Sequence, residues 1–470
     1  MRRAPESSSF RDPDSLVFTA DGVICREINR SYCTHYDRLM ESGLYAKLVR
    51  AGLMVAHDEG NPHLAWSADA YKVILPDPIP FISYPYEWSF SQLKAAALAT
   101  LEIQRQASAF GMVLKDASAY NIQFVHGKPK LVDTTSFQIY REGLPWAGYR
   151  QFCQHFLAPL TLMSCTDVRL NQLMKIYIDG IPLDLTAKLL NFTSKLRFPT
   201  LIHICLHSWS QRRFADRSLS QRARSGQVSL RSLLGLVQSL ESAIQRLNWV
   251  PKSGSWSRYY QGHTYDLGGL EQKKELVSSF LDSTESSAVW DLGANIGIFS
   301  RIASGKGMQT VAWEADPECV ELNYRQILAA NEINLLPLVV DFANPTPAIG
   351  WDNAERESFA QRGPTDTVLA LALIHHLAIA NNVPLSRIAG FFARLCKWLI
   401  IEFIPKDDPG VERLLTVRKD IFEGYRKEEF ENAFREYFII LKEQRIVNSQ
   451  RILYLMSKIS EESRAGSEHA

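Results

Sequence analysis

From Asp266 to the end of the chain, short apolar runs alternate with stretches whose apolar residues recur at helical spacing. Ala288–Leu292, Gln309–Trp313, Leu336–Val340, Thr367–Leu373 and Trp398–Ile401 read as strands, and helical segments separate them. That rhythm predicts a parallel sheet covered on both faces. Two further runs, Phe438–Leu441 and Arg451–Leu455, have a turn-prone Asn448–Ser449 segment and no helix between them. They predict an antiparallel hairpin that closes the sheet.

The first half has a different texture. Leu16–Phe18, Val23–Cys25 and Tyr71–Leu75 look like strands, and Pro76 and Pro78 end the last of them. A helix starts at Ser89 or Ser91 and runs to about Phe110, with Leu93, Ala97, Leu98 and Leu101 on its apolar face. Residues 150–210 read as mostly helical, and Leu230–Leu247 as an amphipathic helix. Between them, Arg212, Arg213, Arg217, Arg222, Arg224 and Arg231 sit among serines and glutamines with only Phe214 for aromatic company. A solvated linker explains that strip better than a nucleic-acid surface, which wants interleaved aromatics. The expected division is a flexible 1–14, an α+β domain over 15–210, a basic and helical linker over 211–254, an α/β domain over 255–458, and a flexible tail over 459–470.

Composition narrows the class. The chain has 470 residues, 46% apolar and 22% charged, enough for two or three self-sufficient cores. A net charge of +1 provides no global field toward nucleic acid or anionic membrane. Seven scattered cysteines (Cys25, Cys33, Cys153, Cys165, Cys205, Cys319, Cys396) without C-x-x-C spacing argue against a secreted disulfide scaffold or a zinc finger. With no signal peptide and no apolar stretch long enough to span a bilayer, the expected location is cytoplasmic, with no membrane partner.

The first strand of the second half runs into Asp291-Leu292-Gly293-Ala294-Asn295-Ile296-Gly297. Gly293 allows a sharp turn at the strand end, and Gly297 a close approach at the helix start. The string departs from G-x-G-x-x-G. The second strand ends in Trp313-Glu314-Ala315-Asp316-Pro317, a little over twenty residues on, the acid spacing of a βαβ nucleotide site. Asp341 follows the third apolar run. Together these residues resemble the class I S-adenosylmethionine-dependent methyltransferases. The resemblance covers about 200 residues, and a nicotinamide-binding Rossmann domain is the rival. It implies a Rossmann-like seven-stranded methyltransferase sheet with a terminal antiparallel hairpin. It also implies a cofactor set of Asp291, Gly293, Asn295, Gly297, Glu314, Asp316 and Asp341. In that set Glu314 is the ribose ligand, Asp316 the second choice, and Asp341 the partner of the adenine amino group.

The fourth strand ends in Ile374-His375-His376-Leu377, where a methyl acceptor would sit, and no Asn-Pro-Pro-Tyr tetrapeptide is present. Either histidine, His375 or His376, is a candidate to take a proton from a hydroxyl or amine acceptor. Glu402 and Lys406 are further pocket candidates. Tyr259, Tyr260, Tyr265 and Lys273 either fold over the cofactor or pack an aromatic seam.

The first half holds a second signal. Lys115-Asp116 is followed by Asn121, a hairpin about His126–Pro129, and Asp133. This D-x-x-x-x-N and second-Asp spacing resembles protein kinase-like folds. It implies Asp116 as base and Asn121 and Asp133 as Mg²⁺ ligands for ATP. The departures are plain: Leu114-Lys115-Asp116 replaces His-Arg-Asp, Asp133-Thr134-Thr135 replaces Asp-Phe-Gly, and no glycine-rich phosphate loop precedes residue 75. Lys72 is a candidate phosphate-pairing lysine, or a solvated strand residue. The two-part layout is also similar to rhizobial nodulation-protein methyltransferases.

The expected function is bacterial-type methyl transfer from S-adenosylmethionine to a hydroxyl or amine of a small molecule or biosynthetic intermediate. The alternatives are a bifunctional kinase-methyltransferase, a non-catalytic ligand-binding scaffold, and a nucleic-acid methyltransferase.

Overall fold

A computed structural model of the chain describes residues 3–195, 201–206, 228–252, 267–416 and 419–460. Two compact units emerge. The first comprises 1–250 together with 349–356, and the second 251–348 and 357–470.

The N-terminal unit is α+β. Its main sheet is antiparallel in the order β1 (Arg3–Pro5), β2 (Ser15–Ala20), β3 (Val23–Asn29), β5 (Ala70–Pro76), β4 (His57–Glu59). Helix Phe90–Ala109 follows. Ser89 is its cap, with Gln92 completing a reciprocal capping pair, so two orphan backbone donors are satisfied. Four short strands come next: β6 (Met112–Leu114) pairs with β9 (Phe137–Ile139), and β7 (Ile122–Val125) with β8 (Lys128–Leu131).

Three expectations are corrected here. Of the expected flexible 1–14, the described residues 3–14 are not a frayed end. Arg3–Pro5 pairs with Phe18–Ala20, and the Arg3 guanidinium donates to the carbonyls of His63 and Ala65 at 2.8 Å. Residues 228–250 do not link but belong to the N-terminal unit. Helix Leu230–Arg246 buries Leu233, Val237, Leu240 and Ile244, and the Lys94 ammonium donates to the carbonyls of Gln245 and Leu247. An apolar stripe that wide needs a partner, which a free linker lacks. Residues 349–356, numbered within the second half, also count with the first unit. There Glu355 meets Arg11 at 2.5 Å, and the Arg356 guanidinium stands 4.4 Å from the Tyr120 ring centre.

The C-terminal unit is α/β. Its seven-stranded sheet runs β12 (Leu335–Val339), β11 (Gln309–Glu314), β10 (Ala288–Leu292), β13 (Thr365–Ala370), β14 (Cys396–Phe403), β16 (Ile452–Lys458), β15 (Phe438–Arg445). The first five are parallel to one another, and β16 is antiparallel to both its neighbours. Consecutive residues Val368, Leu369, Ala370 and Leu399, Ile400, Ile401 are all buried, so both sheet faces are covered. On one face, helices Leu267–Asp282 and Ile298–Gly305 pack Val277, Phe280 and Phe299 against Leu369, Ile400 and Leu455. The order reverses at β10, between β11 and β13. That is where an open parallel sheet leaves a crevice beyond its carboxyl ends. Among the described residues no helix is long and apolar enough to cross a membrane.

Candidate functional site

The crevice at this reversal is a cleft of about 430 Å³, within the range of small-molecule sites. Its floor is the loop after β10. Gly293, Asn295 and Gly297 have φ of 79°, 52° and 82°, so every second residue of the loop is left-handed. The N–H groups of Gly293 and Ala294 donate to the Trp313 carbonyl at 2.9 and 3.0 Å. One Glu314 carboxylate oxygen accepts the Asn295 N–H at 2.8 Å, and the other accepts the Asp316 N–H at 2.9 Å. Burial nonetheless raises the Glu314 carboxyl above its ordinary range, against those stabilising backbone bonds.

Of the residues anticipated from sequence, Gly293, Asn295, Glu314, Asp316, Asp341 and His376 line the cleft. Asp316 has two roles, since it also caps helix Pro317–Ala330 by accepting from the Glu318 N–H. Asp341 accepts the Ala343 N–H at 2.8 Å. Three anticipated residues stand elsewhere. Asp291 is buried behind the loop, where Ser300 donates to it at 2.6 Å and burial pushes its carboxyl up to about 6. Gly297 faces the helix after β11. A Cβ there would fall 2.5 Å from the Asn323 amide and 2.7 Å from the Arg301 guanidinium, so packing demands this glycine. His375 points inward, with its Nδ1 buried and without a partner among the described residues. Burial, then His376, Arg451 and Lys273, hold it neutral far below the usual histidine range. Adjacent in sequence, the two histidines thus occupy different environments.

Glu402 and Lys406 do not reach the cleft either. Glu402 is fully buried against Lys273 at 2.7 Å, and Lys406 pairs with Asp420 at 2.8 Å. Tyr259, Tyr260, Tyr265 and the arginines between 212 and 224 lie outside the described residues; Arg231 is exposed on its helix. The cleft wall also includes Phe342, Leu371, Ala372, Leu373 and Asn381. Phe342 meets Phe359 edge-on at 5.5 Å. It follows Asp341 directly, which was the available sequence signal. Nothing in sequence marks Ala372, whose backbone is left-handed at φ 52°.

In the N-terminal unit, Asp116, Asn121 and Asp133 converge. Burial, then the nearby Asp133, raises the Asp116 carboxyl. The Asn121 amide donates to Ser136 Oγ at 3.1 Å. Asp133 is already engaged: Arg26 makes an ion pair with it, the N–H and hydroxyl of Thr135 donate to it, and so does Ser136. Burial disfavours its charge, but Arg26 and these bonds outweigh that and hold the carboxyl below its ordinary range. A carboxylate offers about four lone-pair sites, so this donor set does not fit a divalent ion as it stands. Among the described residues no three His, Cys, Asp or Glu side chains converge as a metal site. Lys72 pairs with Glu59 at 2.6 Å on the surface, and the cation at Asp133 is Arg26 instead.

Fold and cleft together define a mixed α/β protein with a cleft at the strand ends of an open sheet. The chain is 32% identical over 463 residues to nodulation protein NoeA of Rhizobium meliloti (strain 1021), covering 96% of each, and it belongs to the NoeA family of nodulation proteins. No family model matches. Similar solved structures include WbdD, 14% identical over 44% of this chain and 43% of that one with a TM-score of 0.32. They also include magnesium protoporphyrin IX methyltransferase from Synechocystis PCC 6803 with bound SAH, 18% identical over 44% and 95% with a TM-score of 0.33. A third is the N-methyltransferase NodS from Bradyrhizobium japonicum WM9, 10% identical over 42% and 99% with a TM-score of 0.31. Likenesses this slight leave the chemistry to the residues of the cleft.

Proposed function

We propose that the C-terminal unit transfers a methyl group from S-adenosylmethionine to a hydroxyl or amine of a small molecule or biosynthetic intermediate. One observation carries the reading. The cleft is lined by three carboxylates, Glu314, Asp316 and Asp341, and among the described residues its lining includes no Lys or Arg. Such a site repels a pyrophosphate and suits a ligand that is cationic and free of phosphate. That favours S-adenosylmethionine over a nicotinamide dinucleotide.

The donor set fits that ligand. Glu314, fixed by two backbone N–H groups, would accept from the ribose hydroxyls, with Asp316 beside it. Asp341 would accept from the adenine amino group, and Phe342 offers an aromatic face next to it. S-adenosylmethionine supplies a methyl made electrophilic by its positively charged sulfur. The chain's own task is to hold the acceptor in line, exclude water and take up a proton. His376 is the residue on the cleft wall suited to the last of these. Burial keeps its imidazole neutral, the form that accepts a proton.

Calorimetric titration of S-adenosylmethionine into the wild type and Glu314→Ala tests the proposal. Binding that weakens at least about tenfold in the variant, the loss of one charge-assisted hydrogen bond, is the expected result. No binding to the wild type sinks it.

A second activity, Mg²⁺- and ATP-dependent phosphoryl transfer by the N-terminal unit, has the convergence of Asp116, Asn121 and Asp133 in its favour and the engagement of Asp133 against it. Titration of Mg²⁺-ATP decides: binding abolished by Asp133→Ala establishes a nucleotide site, and its absence from the wild type removes one.

A further inference from the structure

Ala372 carries an unusual backbone in a critical place. It lies just beyond β13, lines the cleft between Leu371 and Leu373, and has φ of 52°. An L-residue with a Cβ pays a steric penalty for that conformation, and such strain persists only where the surroundings over-determine it. The determinant comes from the next strand. Glu402, on β14, accepts the Ala372 N–H through Oε2 at 2.8 Å. The same oxygen accepts from the Lys273 ammonium at 2.7 Å, and Arg451 lies 3.9 Å from Oε1.

Each partner is fixed in turn. Lys273 comes from helix Leu267–Asp282, and its ammonium stands 4.8 Å from the Phe299 ring centre. Arg451, at the start of the terminal hairpin's second strand, makes two bonds to Asp408, at 2.7 and 2.9 Å. Lys273, Glu402 and Arg451 are all about 1% exposed or less. Isolated buried charges are costly, and pairing by itself rarely makes them stabilising against apolar replacements. Here the carboxylate has a further partner, since it accepts the backbone N–H of the left-handed residue itself.

We propose that Glu402 is a positioning residue: paired with Lys273, it holds Ala372 in the left-handed conformation and so sets the Leu371–Leu373 wall beside His376. The role in ligand binding rests on the reading of the cleft as an S-adenosylmethionine site, whereas the backbone restraint does not.

Two measurements on the full chain separate these. The first is amide hydrogen exchange over residues 370–377 without ligand, in the wild type, Glu402→Gln and Glu402→Leu. Glutamine keeps an acceptor oxygen and should stay near the wild type; leucine removes it and should speed exchange in that segment about tenfold, the equivalent of the lost restraint. The second is S-adenosylmethionine affinity. Glu402→Leu should weaken it about tenfold, and adding Ala372→Gly should restore most of the loss, because glycine adopts positive φ without penalty. A merely structural Glu402 would not be rescued at residue 372. If Glu402→Leu does not fold, Lys273→Met/Glu402→Leu removes the charges together and takes its place. Ala372→Val leaves the ion pairs intact and should weaken affinity by a similar factor. Wild-type exchange in the leucine variant overturns the proposal. So does lost affinity that glycine fails to restore. A wild type that binds no S-adenosylmethionine overturns the cofactor reading alone, with exchange still deciding the restraint.

Discussion

The Asn295 N–H donates to Glu314 over 2.8 Å, tying the left-handed loop after β10 to the end of β11. The second Glu314 oxygen accepts from Asp316. Both oxygens are therefore needed as acceptors, and an amide side chain has only one. Glu314→Gln should turn an NH₂ toward one of these N–H groups and leave a buried donor unmade. The expected loss is about 1–3 kcal/mol, read from the midpoint of urea unfolding. An unchanged midpoint would show that the carboxylate is not committed to the loop.

Gly297 is held by sterics. Its φ is 82°, and a Cβ would come within 2.5 Å of Asn323, which is itself buried. Gly297→Ala combines left-handed strain with overpacking and should cost roughly 2–4 kcal/mol. Thermal unfolding checks it. Because Gly297 does not line the cleft, any loss of ligand affinity should follow the loss of folded protein.

Asp291 gives the stability a pH signature. Burial raises its carboxyl from an ordinary 3.8 to about 6. Between about pH 4 and 6 the folded chain thus retains a proton that the unfolded chain has released, and stability falls as pH rises through that window. The contribution is on the order of 3 kcal/mol, fully lost above about pH 6. Asp291→Asn cannot titrate, so its stability should decline less than that of the wild type across this range. Equal slopes in paired denaturant titrations at about pH 4.5, 5.5 and 6.5, two values inside the window and one above it, would contradict this.

Arg451 and Asp408 form a buried two-bond ion pair. Arg451→Met strands a carboxylate in the interior and should cost about 3–5 kcal/mol. Asp408 also accepts the Gly410 N–H that starts helix Pro409–Leu415. Arg451→Met/Asp408→Asn keeps that cap while removing the charge, so it should recover a large part of the loss. Chemical denaturation of the two variants compares them directly, and a double variant no better than the single would place the cost outside the charge.

Much of the C-terminal unit could be read from its residues alone. The five parallel strands, the terminal hairpin about Asn448–Ser449 and the glycine loop follow from short-range rules: apolar periodicity, turn chemistry and the freedom of glycine at positive φ. Glu314 and Asp341 were legible for the same reason, since strand ends are local features and the acids stand at them. The edges of the N-terminal unit were harder to see. Arg3–Pro5 is polar and exposed and becomes a strand only because Phe18–Ala20 offers it a pairing edge.

What tertiary structure alone settled is which groups meet. His375 and His376 are one residue apart, yet one points into an ionic core and the other onto the cleft. Lys273 and Glu402 are 129 positions apart and pair fully buried. Arg26 reaches Asp133 across 107 positions, displacing Lys72 from the role its strand had suggested. Residues 349–356 leave one unit to join the other. Periodicity reports which face of an element is apolar, but it carries no information about distant partners. Those are chosen by the packed chain, where a buried charge must find its opposite or cost several kcal/mol.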